Sequence, residues 1–296
     1  MSVRNNEERA GPVPSADSSA AVSGAAQNSQ NISNASNLSF VVPTEVVEMP
    51  SQGLFYPKDH PMHGRDTVEI KHMTAKEEDI LTSRALLKKG IAIDRLLQSI
   101  IVDKSIRPHE LLVGDKNAIM VSARISAYGP EYNSRITCPH CMTVNEPAIN
   151  LLACQKMKYG IKNTDDLEGV EGPTSSGTYI VTLPTTKAKF EVKLMNGIDE
   201  KRFSDRLQYR KKHRQPDAML TDQIKTFTVS VNGSPLGPQV FAFIDNMPIR
   251  DSRFLRNTYN KLTPIVELKH EFNCNNCGFE QEVEVPITAQ FFWPDR

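Results

Sequence analysis

Two Cys-x-x-Cys pairs, Cys138-Pro139-His140-Cys141 and Cys274-Asn275-Asn276-Cys277, are separated by 132 residues in a chain of 296. A two-residue spacer lets both sulfurs of a pair converge on one ion while the backbone wraps them, and tetrahedral zinc accepts four thiolates held this way. Cys138, Cys141, Cys274 and Cys277 are therefore the candidate ligands of a single structural zinc ion (Zn2+). Any fold that uses them must bring together two parts of the chain that are distant in sequence. Each pair borders strand-like text, Arg135-Ile136-Thr137 before the first and Glu282-Val283-Glu284-Val285 after the second. That is the layout of a zinc ribbon, two hairpin tips meeting over a metal. A compact ribbon has roughly 15–20 residues between its pairs. Here the ribbon is split, and the intervening chain reads as an insertion whose ends lie close together.

Other readings of the cysteines are weaker. Cys-Pro-His-Cys is also the dithiol sequence of DsbA-type thiol oxidases, whose cysteine is activated at a helix N-terminus. The following Met142-Thr143-Val144-Asn145-Glu146-Pro147 does not start a helix, and redox chemistry leaves the second pair unexplained. Four buried thiols without a ligand are the remaining alternative. Gly278 stands where a knuckle needs positive φ. Met142 occupies the matching position in the first knuckle, which predicts a distorted turn. His140 is a spare donor in a spacer position, and Cys154, with no pairing partner, reads as an ordinary buried residue.

The first forty residues are rich in Ser, Asn and Ala, and no aromatic precedes Phe40. Such a segment cannot bury enough apolar surface to offset the entropy of ordering it, so residues 1–40 are expected to be a disordered arm. Basic and acidic residues balance at 35 each, so no global field favours a nucleic acid or an acidic membrane. No basic stretch leads into an apolar one at the start, and the most apolar run, Leu96 to Val102, is far short of the roughly 20 residues that span a bilayer. The expectation is a chain made in a cytoplasm, with no membrane partner, where a reducing environment argues against disulfides.

Past the arm, prolines at 43, 50 and 57 forbid helix and favour short extended runs, with strand alternation at Val68-Glu69-Ile70. Thr74-Ala75-Lys76-Glu77 fits a capping box, opening a helix with Ile80, Leu81, Ala85 and Leu87 on its apolar stripe and Gly90 at its end. A second helix covers about 93–102, and a third about 115–128, with Asp115 as its cap. Residues 160–178 read as a loop. Strands are expected at 179–183 and 189–194, helices at about 199–213 and 217–224. A hairpin joins Phe227–Val231 to Val240–Ile244 around Asn232-Gly233, and a helix at 248–262 follows, with Pro248 in its first turn. The fold class is α+β. It comprises an extended segment plus N-terminal helical unit (41–133), a first zinc knuckle hairpin (134–152), an inserted mixed α/β segment (153–264), and a second knuckle hairpin with an aromatic tail (265–296).

No Gly-rich phosphate loop, metalloprotease motif or nucleophile elbow is present, which implies a protein that is not an enzyme and has no small-molecule substrate. Lys201 to Arg214 is the one strongly basic run, with Phe203 and Tyr209 interleaved. It could grip phosphates, making a zinc-ribbon nucleic-acid binder the alternative function. At helical spacing, however, Phe203 and Leu207 share a face, the pattern of an amphipathic surface helix able to dock on a protein. His60, His63 and His72 sit in proline-rich text and read as surface residues. Phe291-Phe292-Trp293 is either an interface anchor or part of the chain's own core.

Several segments together carry a resemblance. Met49-Pro50-Ser51-Gln52-Gly53-Leu54-Phe55-Tyr56-Pro57 precedes Met73-Thr74-Ala75-Lys76-Glu77-Glu78-Asp79-Ile80-Leu81, followed by Leu87-Lys88-Lys89-Gly90, the cysteine pairs, and Val285-Pro286-Ile287-Thr288-Ala289-Gln290-Phe291-Phe292-Trp293-Pro294. Across residues 40–296 the chain resembles the baseplate hub proteins of T4-like contractile-tailed bacteriophages. The resemblance implies a structural or assembly component of the virion's tail baseplate, built in the host cytoplasm, whose partners are other phage baseplate and tail proteins. It transfers no catalytic residue.

Overall fold

The computed structural model describes residues 41–285 and 291–292. The expected arm at 1–40 and Trp293 of the aromatic tail lie outside the described residues. The fold is α+β, with helices and small antiparallel sheets alternating along the chain.

The described chain opens with a hairpin, Thr44–Glu48 against Thr67–Lys71, in a register that pairs Val47 with Val68 and Glu45 with Ile70. Val47, Val68 and Ile70 face the core while Val46 and its register partner Glu69 face outward, the period-2 alternation of a half-buried sheet. Between the strands, residues 49–66 form a chain of turns. Helices Ala75–Thr82, Arg84–Lys88, Ala92–Ile100 and Val113–Tyr128 follow. The capping box forms, the Thr74 backbone N–H donating to Glu77 Oε2 at 3.0 Å and the Thr74 hydroxyl to the same oxygen at 2.5 Å.

Two two-stranded ribbons come next, Glu131–Asn133 with Ala148–Asn150 and, nested inside, Ile136–Thr137 with Val144–Asn145. The strand Gln155–Lys158 then pairs with Ile265–Leu268 of the long strand Ile265–Asn273, whose other edge carries Glu280–Glu284. Lys158 is the register partner of Ile265. The chain therefore leaves this sheet and returns to it at neighbouring positions, which makes the long excursion between the cysteine pairs sterically cheap. That excursion holds a five-stranded antiparallel sheet in the order Ser234–Pro235, Thr228–Val231, Lys189–Lys193, Thr178–Thr182, Val170–Glu171. Its helices are Gly197–Lys212, Met219–Phe227, Pro238–Asp245 and Ile249–Leu262. Tyr132, Tyr179, Phe190, Phe227, Phe272 and Phe291, from both the excursion and the chain outside it, are among the largest fully buried side chains, so one apolar core runs through both parts.

The structure corrects several readings. The helix expected from Thr74 to Gly90 breaks at Ser83, whose ψ of 108° is extended, and Gly90 with φ +66° follows the second piece. Asp115 does not cap the helix Val113–Tyr128. Leu112 holds that position, and Asp115 turns inward. Val240–Ile244 lies in a helix that begins with Pro238; the Asn232-Gly233 turn instead closes a short hairpin onto Ser234–Pro235. Alternation over five residues cannot distinguish strand from a helical face, and Pro at the first helical position was the unused signal. Within the expected loop 160–178 there is a short strand, Val170–Glu171. His60 is no surface residue: its side chain is 13% exposed and its ring stacks on Tyr56 at 4.5 Å. Phe291 and Phe292 are buried, and Phe291 meets Tyr132 edge-on at 5.4 Å, so these two rings serve the chain's own core.

Candidate metal centre

The sulfurs of Cys138, Cys141, Cys274 and Cys277 come together within 4.8 Å of one another, the one such group of potential metal ligands among the described residues. Each pair sits at a hairpin tip. Cys138-Pro139-His140-Cys141 bridges Ile136–Thr137 and Val144–Asn145; Cys274-Asn275-Asn276-Cys277 bridges Ile265–Asn273 and Glu280–Glu284. The two turns share one hydrogen-bond plan. Cys138 N donates to Thr143 O at 2.9 Å and Met142 N to Cys138 O at 2.9 Å, while Cys274 N donates to Phe279 O at 2.9 Å and Gly278 N to Cys274 O at 2.9 Å. The distortion expected at Met142 is absent: it adopts φ +59°, against +67° at Gly278, so the two knuckles carry the same left-handed residue. Knuckle geometry overrides the steric penalty that an L side chain meets there.

The donor set fits a thiophilic ion. Cys138 Sγ and Cys277 Sγ are 3.7 Å apart, and Cys141 Sγ and Cys274 Sγ 3.6 Å. A tetrahedron with metal–sulfur bonds of about 2.3 Å has edges of about 3.8 Å, whereas a disulfide requires about 2.05 Å. Cys138 and Cys274 are buried, Cys141 is half-buried and Cys277 exposed.

Groups beyond the sulfurs tune their charge. Hydrogen bonds from the Thr143 side chain and backbone pull the Cys141 thiol down to about 5. Burial opposes ionisation of Cys274, but backbone bonds from Cys277 and Asn276 outweigh it and lower its pKa. Cys277 goes the other way. The Phe279 backbone bond favours its thiolate, yet burial and the sulfurs of Cys141, Cys274 and Cys138 hold it up at about 12. Four clustered thiols cannot all ionise without a cation among them, which is the electrostatic condition a metal relieves.

Asn145, which spacing arguments did not single out, ties the two knuckles together. Its Nδ2 reaches Thr143 O at 3.1 Å and Cys274 Sγ at 3.6 Å, and its Oδ1 accepts from Asn275 N at 3.0 Å. Asn276 repeats the arrangement, its Nδ2 donating to Thr143 Oγ1 at 3.1 Å and lying 3.7 Å from Cys141 Sγ. The spare donor His140 stacks on Phe279 at 5.9 Å instead of joining the sulfurs. Cys154 is half-buried and its thiol donates to Leu151 O at 3.6 Å, apart from the cluster.

The segments that carried the resemblance prove to be the frame's other joints. Asp115, fully buried, accepts from Ser51 N at 3.0 Å, Ser51 Oγ at 2.5 Å and Tyr56 OH at 2.6 Å, and Tyr56 OH in turn accepts from Leu112 N at 2.9 Å. Burial pushes the Asp115 carboxyl up against the pull of those bonds. Gly53 makes the loop possible: it sits at φ +69°, and a Cβ there would lie 2.3 Å from Arg65 N. Glu77 is also buried. Desolvation alone would raise its pKa, but bonds from Ser99, from the Thr74 side chain and backbone and from Lys71 bring it down to about 2. A serine, a tyrosine and an aspartate in contact suggest a catalytic group, yet here every one is buried and its hydrogen-bonding capacity is spent on neighbours.

In the basic run, Arg210 forks onto Asp222 at 2.6 and 3.2 Å and Arg206 lies 3.9 Å from the same carboxylate, joining the helices Gly197–Lys212 and Met219–Phe227. Among the described residues no helix is long and apolar enough to cross a membrane.

A family model described as T4 bacteriophage base plate protein matches residues 44–293. No curated protein and no solved structure matches the chain.

Proposed function

The chain belongs to the T4 bacteriophage base plate protein family, and from that premise we propose that it is a non-enzymatic component of the baseplate hub that works by binding other baseplate and tail proteins. The observation that carries this is the match itself, which spans nearly all of the described residues. The joints agree with it. Buried polar groups and clustered thiols are used to hold distant segments in place, as a part whose shape is its function requires. The test is a phage with a stop codon in this gene. Tail assembly intermediates resolved by sedimentation and electron microscopy are expected to lack a completed hub. Finished baseplates in normal yield would overturn the reading.

Cys138, Cys141, Cys274 and Cys277 hold one structural zinc ion in this proposal, and the 3.6 and 3.7 Å sulfur separations support it. When bound, the ion supplies the positive charge that lets the sulfurs ionise together and so links the hairpin at 134–152 to the one that follows Ile265. Elemental analysis of protein purified without chelator should give one zinc per chain. Less than about half an equivalent, against the single four-sulfur site such a cluster forms, would rule it out.

A further inference from the structure

The basic run that stands out in the sequence is partly spent on Asp222, and a second group of cations lies on another helix. In Ile249–Leu262, Arg250, Arg253, Asn257 and Lys261 are all exposed. Spacings of three and four place them in one stripe along the helix. The helix's single acidic residue, Asp251, is fully buried and bonded to Thr185 N and to Thr186 N and Oγ1. Among the described residues none of Arg250, Arg253, Arg256 and Lys261 has a carboxylate partner, and Arg256 Nε is buried without an acceptor. Arg250 and Arg253 lie toward the helix N-terminus, where the dipole disfavours cations. The helix is not charged for its own stability.

The complementary surface is in the same chain. Glu280, Glu282 and Glu284 alternate along an edge strand and so share one exposed face. Their register partners are Asn273, Glu271 and Lys269. Glu282 thus stands directly opposite Glu271, a like-charge pair that destabilises an isolated sheet. Lys269 is drawn to Glu267 at 2.7 Å and lies 3.8 Å from Glu282, leaving Glu271 and Glu284 without a cation among the described residues. The C-terminal end of the helix meets the strand at a cleft lined by Lys158, Asn260, Thr263, Glu267, Lys269 and Glu284. No ion pair joins them within one chain.

We infer that a second copy of this chain covers both surfaces, the Arg250/Arg253 stripe of each copy lying on the Glu280–Glu284 strand of the other. Because the helix ends beside this strand, a single two-fold arrangement brings each stripe onto the other copy's strand. A polyanion such as nucleic acid would suit the stripe but be repelled by the carboxylates beside it. A copy of a chain with balanced charge, 35 against 35, suits both.

Sedimentation velocity of the full chain tests this. At an ionic strength of about 0.01 M, where screening extends about 30 Å, the protein should be dimeric, and at about 1 M, where it extends about 3 Å, monomeric. Arg250→Glu with Arg253→Glu, and separately Glu282→Arg with Glu284→Arg, should each weaken the dimer at least about tenfold at low salt. An equimolar mixture of the two double variants should restore it, because each then supplies the charge the other needs. A monomer at low salt, dimerisation that the reversals leave unchanged, or a monomer that binds duplex DNA through the stripe would each overturn the proposal.

Discussion

The molecule closes its long-range contacts in two chemically different ways, at Asp115 and at the four cysteines. Asp115 joins a helix to the loop of Ser51 and Tyr56, 64 and 59 residues away, and every group in that joint is satisfied by another group of the folded chain. The cysteine cluster joins positions 133 and 139 residues apart, and its sulfurs face chiefly one another. The first joint is complete when the backbone folds. On the proposed zinc reading the second is complete only when the ion resolves the conflict that holds Cys277 up at about 12 while Cys141 is drawn down to about 5. On that reading one joint's stability belongs to the chain alone, and the other's to the chain and a bound ion.

The sharpest way to break that contrast is to remove the metal. Structural zinc contributes on the order of 10 kcal/mol in small metal-dependent folds. Cys274→Ser, or chelation, should destabilise the two knuckle hairpins by more than about 5 kcal/mol. Hydrogen exchange should show amides of Ile136–Thr137, Val144–Asn145 and Glu280–Glu284 losing protection first, while Ser51 and the helix Val113–Tyr128 keep theirs. Uniform loss across both regions would show that the joints are not independent.

Asp115→Ala attacks the other side. It strands the Ser51 and Tyr56 donors in a dry environment and leaves a cavity, for an expected loss of about 3–5 kcal/mol in chemical denaturation. The contrast predicts that this loss is the same with metal saturated or chelated, as far as the chain still folds. A loss that vanishes on chelation would mean that the metal also holds the Asp115 joint. Asn145→Ala should come next in size. Supports of metal ligands are worth about 10–100-fold in affinity, which is about 1.4–2.7 kcal/mol. Competition with a chromophoric chelator reads it directly, and an unchanged affinity would make Asn145 a packing residue only.

What the sequence disclosed of these two joints differs for a physical reason. Cysteine pairs announce themselves because metal geometry demands a short local spacing, so all four candidate ligands were legible at once. Asp115 was legible only as a helix cap, since residue type and position cannot tell a side chain that turns back to its own helix from one that reaches a loop 64 residues away. Glu77 was read correctly because its partner Thr74 lies three residues off. Asn145 and the unpaired stripe on Ile249–Leu262 were missed for the same reason as the Asp115 joint: their meaning depends on which neighbours the fold supplies or withholds. The Val240–Ile244 error is of another kind, a short apolar run whose period fits two structures equally well.

The smallest effect tests the two knuckles against each other. They share their hydrogen bonds and a left-handed residue, yet one uses Gly278 and the other Met142. An L residue in that region costs about 1–2 kcal/mol, and glycine returns about 0.5–1 kcal/mol of that through the greater freedom of the unfolded chain. The Met142 side chain is 72% exposed, so its removal forfeits little packing. Met142→Gly should therefore stabilise the metal-bound protein by about 0.5–1 kcal/mol, seen as a small rise in Tm that chelation abolishes. Gly278→Met should cost about as much as the first change gains, because a Cβ built there meets nothing within 4 Å and the backbone strain dominates. If Met142→Gly instead destabilises, the methionine side chain contributes packing that outweighs its backbone strain, and the first knuckle, unlike the second, is held by more than its hydrogen bonds.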